Sequence, residues 1–199
     1  MRKMISLLLA LSILLTVSLA SAGTICPIIT AIGKLAGKTV NATVGAYDEK
    51  TGTFTVTVYD YDRYDQEDVA KLAVGDAILA GGWLHKINGT ENEYWTCDDG
   101  EEICFGQYGD DVQARSAFDD RIFMSVVTVL HIPAAESIVY EDYSDPDGDP
   151  VTTEGLEAIL KIKAEKEETS IGFDYYATTI TLNDDMEIVK IHQVFDVAQ

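Results

Sequence analysis

Between Thr53 and Tyr59 apolar and polar residues alternate. Phe54, Val56 and Val58 point one way, and Thr53, Thr55 and Thr57 the other. A period of two marks a strand with one buried face. Thr39 to Ala46 repeats the pattern with Val40, Ala42, Val44 and Ala46, and Asp48 to Gly52 reads as the turn between them. The two segments predict a hairpin. Past Tyr59 the chain turns acidic and tyrosine-rich, and Asp65 reads as an N-cap with Glu67 and Asp68 in the first turn behind it. Val69 and Leu72 lie three apart and predict the buried face of a two-turn helix. Gly75 reads as its left-handed stop, Ala77 to Ala80 as the next strand and Gly81-Gly82 as a turn. Residues 53–82 therefore predict a strand–helix–strand corner of the kind that plugs the end of a small barrel.

The pattern continues in short strands. Trp83 to Ile87 is followed by Asn88-Gly89, a hairpin-turn dipeptide, and Glu93 to Thr96 and Ile103 to Gln107 flank a loop. Ile28 to Leu35 reads as an earlier strand, weakened by Gly33 and Gly37. Arg121 to Ile132 is the most apolar segment: Ile122, Met124, Val126, Leu130 and Ile132 on one side, Phe123, Val127 and Val129 on the other. That predicts a central strand buried on both faces and ended by Pro133. Tyr140 to Pro150 is a loop by composition. From Thr153 the period is ambiguous. Leu156, Ile159, Leu160 and Lys163 fit a helix face capped by Thr153, whereas Leu160, Ile162 and Ala164 fit a strand. The charged tail Glu165 to Glu168 favours the helix. Phe173 to Leu182, a turn at Asn183 to Asp185 and Glu187 to Phe195 predict a closing hairpin. Eight or more strands and two short helices, without repeat or linker, predict a mainly β fold: a partly open barrel or sandwich in a single domain over 23–199.

Residues 1–22 stand apart. Arg2 and Lys3 precede an apolar run from Ile5 to Leu15, and Ala20-Ser21-Ala22 supplies small residues before Gly23. This predicts a secretory signal peptide and an extracellular mature chain. No later segment is apolar for long enough to cross a membrane. Ile25 before Cys26 fits a lipid-attachment box poorly, so release is expected. Loss of Arg2 and Lys3 takes the net charge from −20 to −22. Such a surface repels nucleic-acid phosphates and anionic membranes, and leaves an extracellular carbohydrate or protein as the expected class of partner.

Three cysteines remain: Cys26, Cys97 and Cys104. In an oxidising compartment Cys97 and Cys104 are candidates for a disulfide across a hairpin loop. A spacing of seven without a second pair disfavours zinc. Asp145, Asp147, Asp149 and Glu154 offer hard oxygens around the glycine turn at Gly148, a candidate calcium loop. Tyr143 stands where an EF-hand needs its first aspartate, so any such loop is a looser one drawing on Asp142. Tyr61, Tyr64, Trp83 and Trp95 are candidate stacking faces for a sugar, beside Asp60, Asp62 and Asp65. The histidines, His85, His131 and His192, sit on or at the ends of expected strands and read as structural. There is no G-x-S-x-G elbow, no H-E-x-x-H pair and no phosphate loop, and no catalytic residue is assigned.

Residues 58–78, VYDYDRYDQEDVAKLAVGDAI, and residues 176–191, YATTITLNDDMEIVKI, resemble segments of small exported proteins of gut-type Gram-positive bacteria. The resemblance covers about a fifth of the chain. It implies secretion and one compact domain, and it carries over no catalytic residue. The expectation is a secreted β-rich binding or surface-associated module without enzymatic chemistry. The alternatives are an extracellular carbohydrate-active hydrolase using two carboxylates and a calcium-stabilised structural module.

Overall fold

In a computed structural model the described residues are 23–28, 35–145, 147–168 and 173–194. The expected leader at 1–22, most of the early strand after Ile28 and the end of the closing strand at Phe195 lie outside them. The described residues form a mainly β structure of two sheets and two helices.

The alternating segments build the first sheet. β2 (Thr39–Asp48) and β3 (Thr53–Tyr61) pair antiparallel, with Val44 opposite Val56 and Ala42 opposite Val58. The turn between them is tied by the Asp48 carboxylate, which accepts from the Lys50 N–H at 2.9 Å. The predicted closing hairpin is present as β12 (Thr178–Leu182) and β13 (Ile188–Val194). β12 is shorter than the pattern implied, because Tyr175 to Ala177 form a turn before it. β12 pairs with β2, and β13 pairs in parallel with the second half of β10 (Met124–Tyr143). The first half of β10 pairs with β3, so these five strands return on themselves in a ring. Phe54, Val56, Val58, Ile132, Ile138, Ile180, Leu182, Ile188 and Ile191 fill its interior.

β10 is longer than predicted and Pro133 does not end it. Pro133 is the last residue paired with β3, next to the register shift at which β10 changes partners. A residue without an N–H is tolerated at such an irregularity. Both faces of this strand were expected to be buried, yet Val126 and Val129 are 56% and 53% exposed. Inside the ring only one face of each strand meets the core.

β11 (Val151–Glu154) adds to the second half of β10, then Gly155 leads into α2 (Leu156–Glu168). The helix reading of this segment is correct. Its predicted cap is not: Thr153 is paired to Tyr140 in β11, and the Gly155 carbonyl accepts the Ile159 N–H. Ile159 is fully buried against the ring core, so α2, and not the 53–82 corner, packs against it.

The second sheet has the order β1 (Thr24–Ile25), β5 (Ala77–Ala80), β6 (Trp83–Glu91), β7 (Tyr94–Cys97), β8 (Glu102–Tyr108), β9 (Asp111–Ser116), β4 (Arg63–Tyr64). Asn88-Gly89 is not a turn. It lies within β6 at a register shift against β7, and the reversal falls at Asn92, whose φ is +56°. Between β4 and β5 the helix α1 (Gln66–Val69) is a single turn with no buried residue. Asp65 caps it as read from the sequence, accepting the Glu67 N–H at 2.7 Å. Val69 and Leu72 lean on the second core, formed by Tyr64, Ile78, Ile87, Ile103, Val112 and Phe123.

β3 and β10 both run out of the ring at one point. Tyr61 is opposite Met124; one step further, the strands part around β9. The Asp62 N–H still donates to the Phe123 carbonyl at 2.9 Å. The Ala114 N–H donates to the Asp62 carbonyl, and the Phe123 N–H to the Ala114 carbonyl. Asp62 is 2% exposed, and its Oδ2 accepts the Gly81 N–H at 2.6 Å. Gly81 must be glycine here: its φ is +58°, and a Cβ would lie 3.0 Å from the Phe123 ring. One side chain therefore ties β5 and its turn to the strand crossing.

Burial holds the Asp62 carboxyl above its ordinary 3.8, against the opposing Ser125 hydroxyl and Gly81 N–H. Its protonated form is favoured by folding. The stability this gives is present below 3.8 and is lost as pH rises through the folded value. Asp62→Ala should cost about 1–3 kcal/mol by orphaning the Gly81 N–H. Asp62→Asn keeps an acceptor and carries no charge, so it should gain on the parent chain as pH rises above 3.8. Urea midpoints across that range check both outcomes.

Candidate functional site

A cavity of about 450 Å³ opens beside this crossing where the ring meets the second sheet. From the ring, Lys38 precedes β2, Thr39 and Asn41 come from its start, Tyr59 to Tyr61 from the end of β3, Val127 from β10 and Thr179 from β12. From the second sheet come Arg63, first in β4, and Tyr108, last in β8. Val127 falls at a register shift of β10 against β3, which skips it between Val126 and Thr128. A bulge of this kind re-aims side chains at the rim of a closed sheet.

The walls are aromatic and polar. Tyr59 is stacked on Tyr175 with ring centroids 3.9 Å apart, Tyr175 lies against Tyr176, and the Arg121 guanidinium sits 4.7 Å over the Tyr176 ring. Arg63 lies 5.2 Å over the Tyr108 ring, and its Nη2 reaches the Asp60 carboxylate at 3.4 Å. Asp60 also accepts the Tyr61 N–H at 2.9 Å. Asp60 is the one carboxylate among the lining residues.

The four aromatic candidates separate. Tyr61 lines the cavity and is half-buried. Tyr64 is 1% exposed, donates its hydroxyl to the Leu79 carbonyl at 2.7 Å and meets Phe105 edge-on. It is a core residue with no face left for a ligand. Trp95 packs half-buried against the second core. Trp83 is 76% exposed at the start of β6 and does not line the cavity.

The acidic candidates lie elsewhere. The Asp145 carboxylate accepts the Asp147 N–H at 3.0 Å, closing its own turn. Asp145, Asp147 and Asp149 are exposed, and Glu154 is opposite Val139 in β11. Among the described residues no three His, Cys, Asp or Glu side chains converge as a metal site. Asp142 is engaged by Lys166 at 3.0 Å and by Ser144. Burial acts to raise its carboxyl, but the Ser144 hydroxyl and N–H and the Lys166 ammonium outweigh it and hold it at about 2.

Cys97 and Cys104 are both free thiols, against the expected bridge. The register explains why. Trp95 is opposite Ile103, so Cys97 shares a sheet face with Ile103, and Cys104 points to the other face. Thiols on opposite faces cannot reach disulfide geometry. Burial, with Asp99, Asp98 and Glu101 nearby, pushes the Cys97 thiol up to about 12, far from a reactive thiolate. His85 is buried between the Asp99 carboxylate at 2.7 Å and the Ala80 carbonyl at 3.1 Å, the structural role read from the sequence.

Arg63 is the lone cation in the tyrosine–aspartate run, a signal the sequence reading passed over. Lys38, Tyr108 and Thr179 reach the cavity only through sheet closure. The chain matches no protein-family model, no curated protein and no solved structure.

Both Cys97 and Cys104 should titrate as thiols when the non-reduced chain is unfolded. A Cys97–Cys104 disulfide peptide in a mass-spectrometric digest would contradict the register.

Proposed function

We propose that this chain is an exported binding module that holds an extracellular saccharide in the cleft between its two sheets. The observation that carries the reading is the cavity of about 450 Å³. It combines aromatic faces, Tyr61 and Tyr108, with hydrogen-bonding groups from Asn41, Thr39, Thr179 and Asp60. A sugar ring offers an apolar C–H face to stack on an aromatic and hydroxyls that need both donors and acceptors. The residue types in this cleft meet both needs.

Export is supported by the leader-like residues 1–22 and by the acidic chain, which disfavours nucleic acid and anionic membrane as partners. Binding is favoured over hydrolysis by the carboxylate inventory. Glycoside hydrolysis needs two carboxyl groups roughly 5–10 Å apart across the scissile bond, and this cleft presents Asp60 alone. Calcium adds nothing to this reading, because the acidic loop from Asp145 to Asp149 supplies none of the cavity's lining residues.

A panel of neutral and acidic oligosaccharides titrated into the mature chain and followed by amide chemical shifts tests this. At least one member should shift amides lining the cleft, and Tyr61→Ala should weaken it roughly threefold to tenfold. No perturbation of the cleft by any member, or affinity untouched by Tyr61→Ala, would overturn the reading.

A further inference from the structure

We infer that the saccharide held in this cleft carries a carboxylate, as a uronic acid does, and that Arg63 and Lys38 receive it. This rests on the binding reading above and names the ligand class within it.

The protein is strongly acidic, with 34 acidic against 14 basic residues. Most of its described cations are paired: Arg63, Lys71, Arg115, Arg121, Lys161, Lys163, Lys166 and Lys190 each lie within 4.0 Å of a carboxylate. Against that background the charge balance of the cleft is unusual. It gathers two cations, Arg63 and Lys38, and one anion, Asp60.

Arg63 has donors to spare. A guanidinium has five N–H donors in a planar fork. Here Nη2 meets Asp60 at 3.4 Å, and the guanidinium makes no other hydrogen bond among the described residues. The Tyr108 ring lies 5.2 Å beneath and holds the guanidinium plane. Lys38 is exposed at the cleft edge and carries no ion pair among the described residues. A planar carboxylate can pair with the Nη end of such a fork through two parallel hydrogen bonds.

Charge selects among anions. Two basic and one acidic lining residue give the cleft a formal charge of plus one, which a monoanion neutralises. A phosphate dianion would leave one negative charge uncompensated beside Asp60. Tyr61 lines the same cavity and is the aromatic assigned to the sugar ring attached to that carboxylate.

The test titrates a trisaccharide carrying a single glucuronate and the neutral trisaccharide maltotriose into the intact mature chain, by calorimetry and amide shifts. The glucuronate trisaccharide should bind in the cleft and weaken as salt rises from 50 to 500 mM, while maltotriose at equal concentration should not bind. Arg63→Gln should lower the glucuronate trisaccharide's affinity at least tenfold and Lys38→Gln severalfold. Should Arg63→Gln fail to fold, Lys38→Gln, which removes no described partner, carries the test. Maltotriose binding the cleft as tightly, insensitively to both substitutions, would overturn the carboxylate assignment and leave the binding module standing. Equal binding of a sulfated, carboxylate-free trisaccharide would overturn it too. Cleft amides unmoved by any saccharide would overturn both readings.

Discussion

A buried carboxyl group holds the two sheets of this protein to one another. Asp62 stands where β3 leaves the ring, and its side chain accepts the N–H of Gly81 at the tip of the β5–β6 hairpin. Its backbone pairs with Phe123 and Ala114 at the same point. Taking a carboxyl group out of water is unfavourable unless its oxygens are hydrogen-bonded, and a raised affinity for protons is the consequence. The cost is tolerated because the alternative is worse: where β3 and β10 part around β9, the reversal at Gly81 would present a donor with no acceptor. Asp62 satisfies it.

The cleft is a by-product of that crossing. A strand pair that stays together leaves no gap, whereas one that splits around a third strand opens a wedge beside the split. Val58 to Tyr61 lie just before Asp62, and Arg63 just after it, so five lining residues flank the buried anchor. The scaffold and the site are thus specified by the same few residues. The acidic tyrosine run has two jobs that alternate along it: Asp62 and Tyr64 turn into the structure, while Tyr61 and Arg63 turn to the cavity.

That alternation was legible in part. Phe54, Val56 and Val58 announce their strand because one face is fully buried and the other polar, and the Asp65 cap announces α1 because its chemistry is local. The mainly β class follows from such segments. Non-local facts were not legible. Asn88-Gly89 has turn chemistry, but the register of β6 against β7 uses it as a bulge. Cys97 and Cys104 look bridgeable until the pairing of Trp95 with Ile103 places them on opposite faces. β9 lacks a strong apolar run, since Val112 and Ala114 are its only buried apolar residues, so the element that splits the strands left little trace. Of the site, Tyr61 could be read. Arg63 was visible as a lone cation, and Lys38 and Tyr108 arrive from distant strands that only the closed topology brings together.

The central claim is that the Asp62–Gly81 bond joins the two sheets into one cooperative structure. Native-state hydrogen exchange at the Gly81 amide tests it most directly. The account predicts that this amide opens only with global unfolding, at the same free energy as core amides of β3 and β13. Exchange of Gly81 through a low-energy local opening, while the ring amides stay protected, would contradict it.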